Sequence, residues 1–350
     1  MKAIVTTRYG SPETLQIKEI ARPAPKDGEV LVKVHAAAVN PLDWHFMRGS
    51  PFFMRLMMGL FRPKTLVLGA DFAGRVEAVG KDVTLFRPGD EVFGDLSGGS
   101  LGAFAEYMCI AEDTSIVLKP SNISFEQAAA VPVAAITALQ SVRAAQLKPG
   151  QTVLINGASG GVGTFTVQIA KYFGANVTAV CSGRNLELVR SIGADDVIDY
   201  TREDFSRSGR TYDAIIDNIG NRTIADYRRA LKPKGICTVI GFTTLARMLG
   251  HTLRGAWASK TSGQQIGLMG SANSNKADLN TLSDLLKSGR VVPVVDRCYP
   301  LRETPNAVGY VESARARGKV VITVAQSSEN PRQRDQKAEP FTVMEEAPSR

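Results

Sequence analysis

Histidine and cysteine are scarce in this chain, with three of the former and four of the latter among 350 residues. The cysteines, Cys109, Cys181, Cys237 and Cys298, are far apart, and none belongs to a Cys-x-x-Cys pair. That excludes a zinc knuckle and a disulfide framework. Scattered thiols suit a reducing compartment. His35 and His45 lie close in sequence but two imidazoles alone do not make a metal site, His251 is isolated, and all three read as surface or packing residues. Long apolar runs are also missing. The longest, "AAAVPVAAITAL" at 128–139, is too short to span a bilayer and contains Pro132. The opening "MKAIVTTRYG" is too short for a signal peptide and reads as a strand. A cytoplasmic protein with no metal and no transmembrane segment is expected. Acids are outnumbered by bases, 34 to 42, for a net charge of +8. That balance favours anionic partners: phosphorylated cofactors, nucleic acid or a membrane surface. The bases are mostly interspersed with acids, as on a solvated face. No platform of aromatic and basic residues offers itself to stacked bases, so no specific nucleic-acid partner is expected.

What is present is ordinary globular material, 44% hydrophobic and 22% charged, with room for two domains. Up to about residue 122 short strands alternate with turns: "LVKVHAAAV", "FAGRVEAVG", "DEVFGD" and the tight turn "RPGD". The period changes near Ser124. "SFEQAAAVPVAAITALQSV" looks helical, Ser124 with Gln127 fits a capping box, and Pro132 should kink the helix. From 150 onward strand and helix alternate, and Val162, Phe165, Ile169 and Phe173 share one helical face. Buried strands with interleaved helices predict an α/β fold, a doubly wound parallel sheet beside a β-rich barrel. "LKPGQTVLING" and "LKPKGICTVIG" echo one another, as two halves of a dinucleotide fold would. "VVPVVDRCYPL", an amphipathic stretch at 303–316 and "GKVVITV" read as a β-rich return to the first domain. The expected division is 1–122 with 291–325, then 123–290, then a polar, disordered tail at 326–350.

"INGASGGVGTF" follows a strand and opens a helix, the context a dinucleotide fingerprint requires. Gly157 ends the strand, Ala158 takes the first glycine's place, and Gly160 and Gly163 supply close approach and close packing. The backbone of Ser159, Gly160, Gly161, Val162 and Gly163 would then meet a pyrophosphate at the helix start. At the end of the second strand an NAD site carries an acid for the ribose 2′-hydroxyl. "AVCSGRN" has none. Ser182 can donate a hydrogen bond, Arg184 can pair with a 2′-phosphate and Asn185 can orient it, so NADPH is expected over NADH. Tyr200 either closes over the adenosine phosphate or simply packs.

On "AAAVNPLDWHFMRG", "LGADFAGRVEAVG", "RPGDEVFG" and "INGASGGVGTFTVQIAKYFGANVTAVCS", in that order and spacing, the chain resembles the medium-chain dehydrogenase/reductase superfamily over residues 1–325. It is most similar to the zinc-free quinone oxidoreductase branch, which includes alkenal/enone reductases. The resemblance implies a GroES-like catalytic domain joined to a Rossmann domain, with the active site in the cleft between them. Zinc dehydrogenases of the superfamily carry a cysteine ligand where Asn40 stands and Gly-His-Glu in place of Gly69-Ala70-Asp71. A tetrahedral zinc set is therefore missing.

The resemblance implies that Asn40 faces the nicotinamide, with an amide able to donate to a substrate oxygen. Asp43 is a catalytic candidate, though an N-cap for a short helix is the plainer reading. Arg48 reads as structural. Gly241, Phe242 and Thr243 would lie near the nicotinamide, with Ser271 in the following loop. "SPFFMRLMMGLFRPK" at 50–64 is either core, a peripheral membrane helix or an adaptable apolar substrate entrance, the last being preferred. The stretch 243–267 is expected to cover nicotinamide and substrate. A quinone or enone acceptor follows, because hydride delivery to a conjugated carbonyl needs no Lewis acid. The other reading is a non-catalytic NADPH-binding redox sensor or nucleic-acid-associated protein, since fold alone does not guarantee chemistry. A homodimer through the sheet edge near "QIGLMG" is a further possibility.

Overall fold

The computed structural model describes residues 1–52, 55–56, 59–64, 67–99, 101–241, 263–270 and 272–324. A first set of strands runs β1 (Lys2–Val5), β2 (Gln16–Glu19), β3 (Glu29–Val39), β4 (Asp71–Val79), β5 (Glu91–Asp95), β6 (Tyr107–Ala111) and β7 (Ile116–Leu118). The long strand β3 is its spine, pairing antiparallel with both β4 and β6. The second set is β8 (Thr152–Asn156), β9 (Asn176–Cys181), β10 (Asp196–Asp199), β11 (Tyr212–Asp217), β12 (Leu231–Val239) and β13 (Gln265–Leu268). These form one six-stranded sheet in the order β10-β9-β8-β11-β12-β13, with every pair parallel. Strand order reverses between β8 and β11, and the crevice beyond their carboxyl ends is where such sheets bind ligands.

The chain then returns. β14 (Val295–Pro300) pairs with β15 (Lys319–Thr323), which lies antiparallel to β3 with Val320 opposite Val39. Between them residues Thr304–Glu312 form a helix, where the sequence reads as β-rich. Pro305 sits in its first turn and Ala307 and Val308 are buried, so a helical period governs that stretch.

Pro132 does more than kink. It ends one helix, Phe125–Ala129, and starts another, Pro132–Ala144, at the position where a missing N–H leaves no bond unmade. Ser124 and Gln127 make the expected reciprocal cap, Gln127 N–H donating to Ser124 Oγ at 3.2 Å and Ser124 N–H to Gln127 Oε1 at 3.0 Å.

One apolar cluster is continuous across both sheets. It joins Ala36, Ala73, Phe93 and Val321 to Val153, Ile155 and Phe165. Each large side chain buried there contributes about 1.5–3 kcal/mol of transfer free energy. The small alanines let the helix Phe125–Ala129 lie close on β3 and β4. Among the described residues no helix is long and apolar enough to cross a membrane.

Candidate active site

The glycine loop sits at the reversal point. Gly157 has φ +74°, a conformation glycine adopts without steric cost. Gly160 is the N-cap of the helix Gly161–Tyr172. A Cβ on Gly163 would stand 2.1 Å from the Gly157 carbonyl oxygen, so helix and strand touch there. A Cβ on Gly160 would meet only that same oxygen, at 3.5 Å, which leaves its other side open. The free N–H groups of a helix's first turn face this opening. Val162 packs into the core, and Ser159 is buried.

The strand end expected to select the cofactor is more organised than its sequence shows. Asn185 is buried and donates through Nδ2 to Ser159 Oγ at 2.9 Å and to Ser182 Oγ at 3.2 Å. Its Oδ1 accepts from Arg317 Nε at 2.7 Å. Arg317 also donates to the Arg184 carbonyl at 2.5 Å, and Arg184 donates to the Arg315 carbonyl at 3.2 Å. Two exposed guanidinium groups, those of Arg184 and Arg317, thus converge beside the glycine loop, the second from the segment leading into β15. Gly318 N–H donates to the Ser159 carbonyl at 2.9 Å and fixes that segment in place. Arg315 and Arg317 were not singled out from sequence, because they lie more than a hundred positions from their partners.

One acid does approach from the neighbouring strand. A Cβ on Gly183 would stand 2.6 Å from Asp199 Oδ2. Hydrogen bonds from Thr201 hold the Asp199 carboxyl below its ordinary value. Tyr200 is 56% exposed beside it.

At the carboxyl end of β11, Asp217 Oδ1 accepts from the N–H groups of Ile219 and Gly220 at 2.8 and 2.9 Å. Asn218 donates through Nδ2 to the Asn156 carbonyl at 2.9 Å, while its buried Oδ1 has no partner among the described residues. A Cβ on Gly241 would be 2.4 Å from the Asn218 carbonyl oxygen. An open glycine face, a helix start and an orphaned acceptor on one crevice fit a dinucleotide. Phe242, Thr243, Ser271 and His251 lie outside the described residues, as does the tail from 326.

The stretch "VNPLDWHFMRG" forms the buried polar layer next to this crevice. Asn40 is the N-cap of the helix Pro41–Arg48. Asp43 is at its third position, not its cap. Its carboxylate accepts from Asn40 N–H at 2.7 Å and from Gly69 N–H at 3.1 Å. Arg48 pairs bidentately with Glu312 at 2.7 and 2.9 Å, which ties this helix to Thr304–Glu312. The Asn40 side chain is engaged on every side. Its Nδ2 donates to Asp71 at 2.9 Å and to the Ala38 carbonyl at 3.4 Å, and its Oδ1 accepts from Lys319 Nζ at 2.5 Å. Lys319 closes the set with an ion pair to Asp71 Oδ2 at 3.0 Å. Asp71 Oδ1 accepts from Val133 N–H at 2.9 Å.

All four residues are at most 3% exposed. With its amide committed and 2% exposure, Asn40 offers no free donor to a substrate. Burial, with the Asp71 charge beside it, pushes the Asp43 carboxyl up to about 7, although Asn40 N–H, Lys319 and Gly69 N–H act the other way. Asp71 entered the sequence reading only as the residue that is not glutamate. Lys319 was not singled out, though a lysine opening the apolar run "VVITV" is a readable anomaly.

Among the described residues no three His, Cys, Asp or Glu side chains are grouped to hold a metal. His45 Nδ1 contacts the Ser50 carbonyl at 2.7 Å, and His35 stacks on Phe125 with ring centroids 4.3 Å apart.

Residues 26–121 match the alcohol dehydrogenase GroES-like domain model, and residues 192–322 match the zinc-binding dehydrogenase model. The chain is 36% identical to the 2-methylene-furan-3-one reductase of Solanum lycopersicum, over 92% of this chain and 79% of that protein. It is 33% identical to the chloroplastic NADPH-dependent alkenal/one oxidoreductase of Arabidopsis thaliana, again over 92% and 79%. The quinone oxidoreductase of Coxiella burnetii superposes with a TM-score of 0.81 at 32% identity, over 93% of this chain and 99% of that one. The expected α/β architecture, a Rossmann sheet joined to a GroES-like domain, is the one observed. With sequence, fold and site in agreement, the chain belongs to the medium-chain dehydrogenase/reductase superfamily, in its quinone oxidoreductase branch, as an oxidoreductase that uses a nicotinamide cofactor.

Proposed function

We propose that this protein is an NADPH-dependent reductase that delivers hydride to a quinone or an α,β-unsaturated carbonyl without a metal. The observation that carries the reading is the donor set next to the crevice. An amide (Asn40) and a methyl group (Ala70) stand where the resemblance places zinc ligands, and the Lys319 ammonium bonded to Asn40 repels a divalent cation. The relatives act on furanone and alkenal/one substrates by name, which supports the same acceptor class here.

NADPH supplies the hydride. The chain's part is to hold and orient. Ser159, Gly160, Gly161, Val162 and Gly163 present the helix start to the pyrophosphate. Arg184 and Arg317 offer positive charge for the 2′-phosphate, with Asn185 and Ser182 fixing their arrangement. Gly241 and Asn218, and with them Phe242, Thr243 and Ser271, are assigned to the nicotinamide end. Asn40 and Asp43 act beneath the substrate by holding the helix Pro41–Arg48 in place. The exposed side chains of Phe52, Leu56, Leu60 and Phe61 suit an apolar entrance. The working units are 1–122 with 291–325 and 123–290, with the reaction in the cleft between them.

The test is a pair of titrations. NADPH and NADH are bound to the purified protein, followed by nicotinamide fluorescence, and turnover is then measured with quinones and small enones. Binding of NADPH at least tenfold tighter than NADH, with turnover, is expected. Equal affinities would remove the NADPH assignment. Tight binding without turnover on any acceptor would favour a redox sensor.

A further inference from the structure

Lys319 is a buried cation with two committed partners and no place in the cofactor fingerprint. Its Nζ lies 2.5 Å from Asn40 Oδ1 and 3.0 Å from Asp71 Oδ2. Its stem runs along the start of the dinucleotide helix, where Lys319 Cδ lies 3.0 Å from a Cβ placed on Gly161. One side chain therefore spans from the cofactor helix to the start of the helix Pro41–Arg48. We propose that Lys319 is a positioning residue that supplies a fixed positive charge to this active site. Through Asn40 and Asp71 it holds the substrate-side helix against the cofactor-side helix, and its ammonium offsets the negative charge that hydride delivery builds on the acceptor oxygen.

The proposal rests on the reductase reading for its catalytic half only. A cation fixed in a low-dielectric layer acts strongly on nearby charge and needs no reorganisation when that charge appears. In the reaction, hydride forms the new C–H bond at the β-carbon and the conjugated electrons move to oxygen. Solvent then supplies the proton that completes the saturated carbonyl.

Among the described residues, four ionisable groups share this layer. They are Asp43 on the helix Pro41–Arg48, Asp71 on β4, Asp95 on β5 and Lys319 on β15. Asp95 stands opposite Asp71 in the β4–β5 register and is itself buried. Three carboxyls and one ammonium leave the layer negative when all are ionised, so removing the ammonium must change how Asp43 ionises.

The experiment uses the full chain with Lys319→Met, Lys319→Arg and the neutral pair Lys319→Met with Asp71→Asn. The pair retains folding should the single change fail. Three quantities are read: the carboxyl carbon NMR titration of Asp43, assigned by its loss in Asp43→Asn; the dissociation constant for NADPH; and kcat. In Lys319→Met the Asp43 titration should move up by at least about one pH unit. In Lys319→Met and in the double variant, kcat should fall on the order of a hundredfold, with NADPH affinity changed less than about threefold. Lys319→Arg should recover most of the loss.

An unmoved Asp43 titration would overturn the fixed-charge role. Wild-type kcat in either Met variant, or a loss confined to NADPH affinity, would overturn the catalytic role. If the wild-type protein turns over no acceptor, the reductase reading fails, and the NMR titration still decides whether Lys319 sets the charge of the layer.

Discussion

Asp43 has no exposed surface, yet its carboxyl accepts two backbone N–H groups and lies beside Asp71. Folding raises its proton affinity from the ordinary 3.8 to about 7. The folded state therefore binds the proton more tightly than the unfolded chain. Stability from this group is full below about pH 4 and is lost as pH rises through about 7. The loss is on the order of 4 kcal/mol, from about 1.4 kcal/mol per tenfold change in proton affinity. Asp43→Asn should flatten the fall in stability between pH 4 and 7, measured by urea unfolding across that range. It also leaves one N–H without an acceptor, at about 1–3 kcal/mol, so the variant should be less stable at pH 4. An unchanged pH slope would contradict this account of Asp43. Its sequence context shows an acid near a helix start, but Gly69 and Asp71 come from a distant strand, and no local pattern reports them.

The glycine loop is legible because its logic is local, a strand, a turn and a helix start within a few residues. The structure refines it by separating two glycines that look equivalent in "GASGGVG". Gly163 is closed, with a Cβ 2.1 Å from backbone oxygen, whereas Gly160 is open. Gly163→Ala should therefore unfold at lower temperature, by several degrees in a calorimeter, because helix and strand are forced apart. Gly160→Ala should keep its melting temperature within a few degrees, since the backbone there is extended and a Cβ meets one atom at 3.5 Å, leaving the poorer N-cap as a cost of about 1 kcal/mol. It should nevertheless bind NADPH at least tenfold more weakly, because the methyl group fills the approach to the helix start. Equal effects of the two changes would contradict the assignment of Gly160 to the cofactor. The helix broken at Pro132 marks the limit of such local reading. Proline announces a disruption, but whether the helix bends or restarts depends on what the second piece packs against.

At the scale of the whole molecule, the site exists only because the chain returns. Lys319 and Asp71 are 248 positions apart, and Arg317 and Asn185 are 132 apart. The two sheets, their order and the crevice follow from periodicity and turn chemistry. The contacts that complete the crevice follow from how β15 lands on the glycine loop, and only the folded molecule displays them. Arg317→Ala should thus weaken NADPH binding by about tenfold while leaving NADH within about twofold, as expected for a lost charged contact to a 2′-phosphate. Equal weakening of both, measured by fluorescence titration, would make Arg317 a structural clamp on Asn185.

Hydride delivery to a conjugated acceptor without a metal leaves its mark on the product. NADPH deuterated at the nicotinamide C4, mixed with chelator-treated protein and a small enone, tests it most directly, with the product read by mass spectrometry and NMR. A saturated carbonyl carrying deuterium on the β-carbon, formed at the same rate before and after chelation, is the expected product. An allylic alcohol carrying deuterium on the carbonyl carbon, or turnover that disappears with the chelator and returns with zinc, would contradict it.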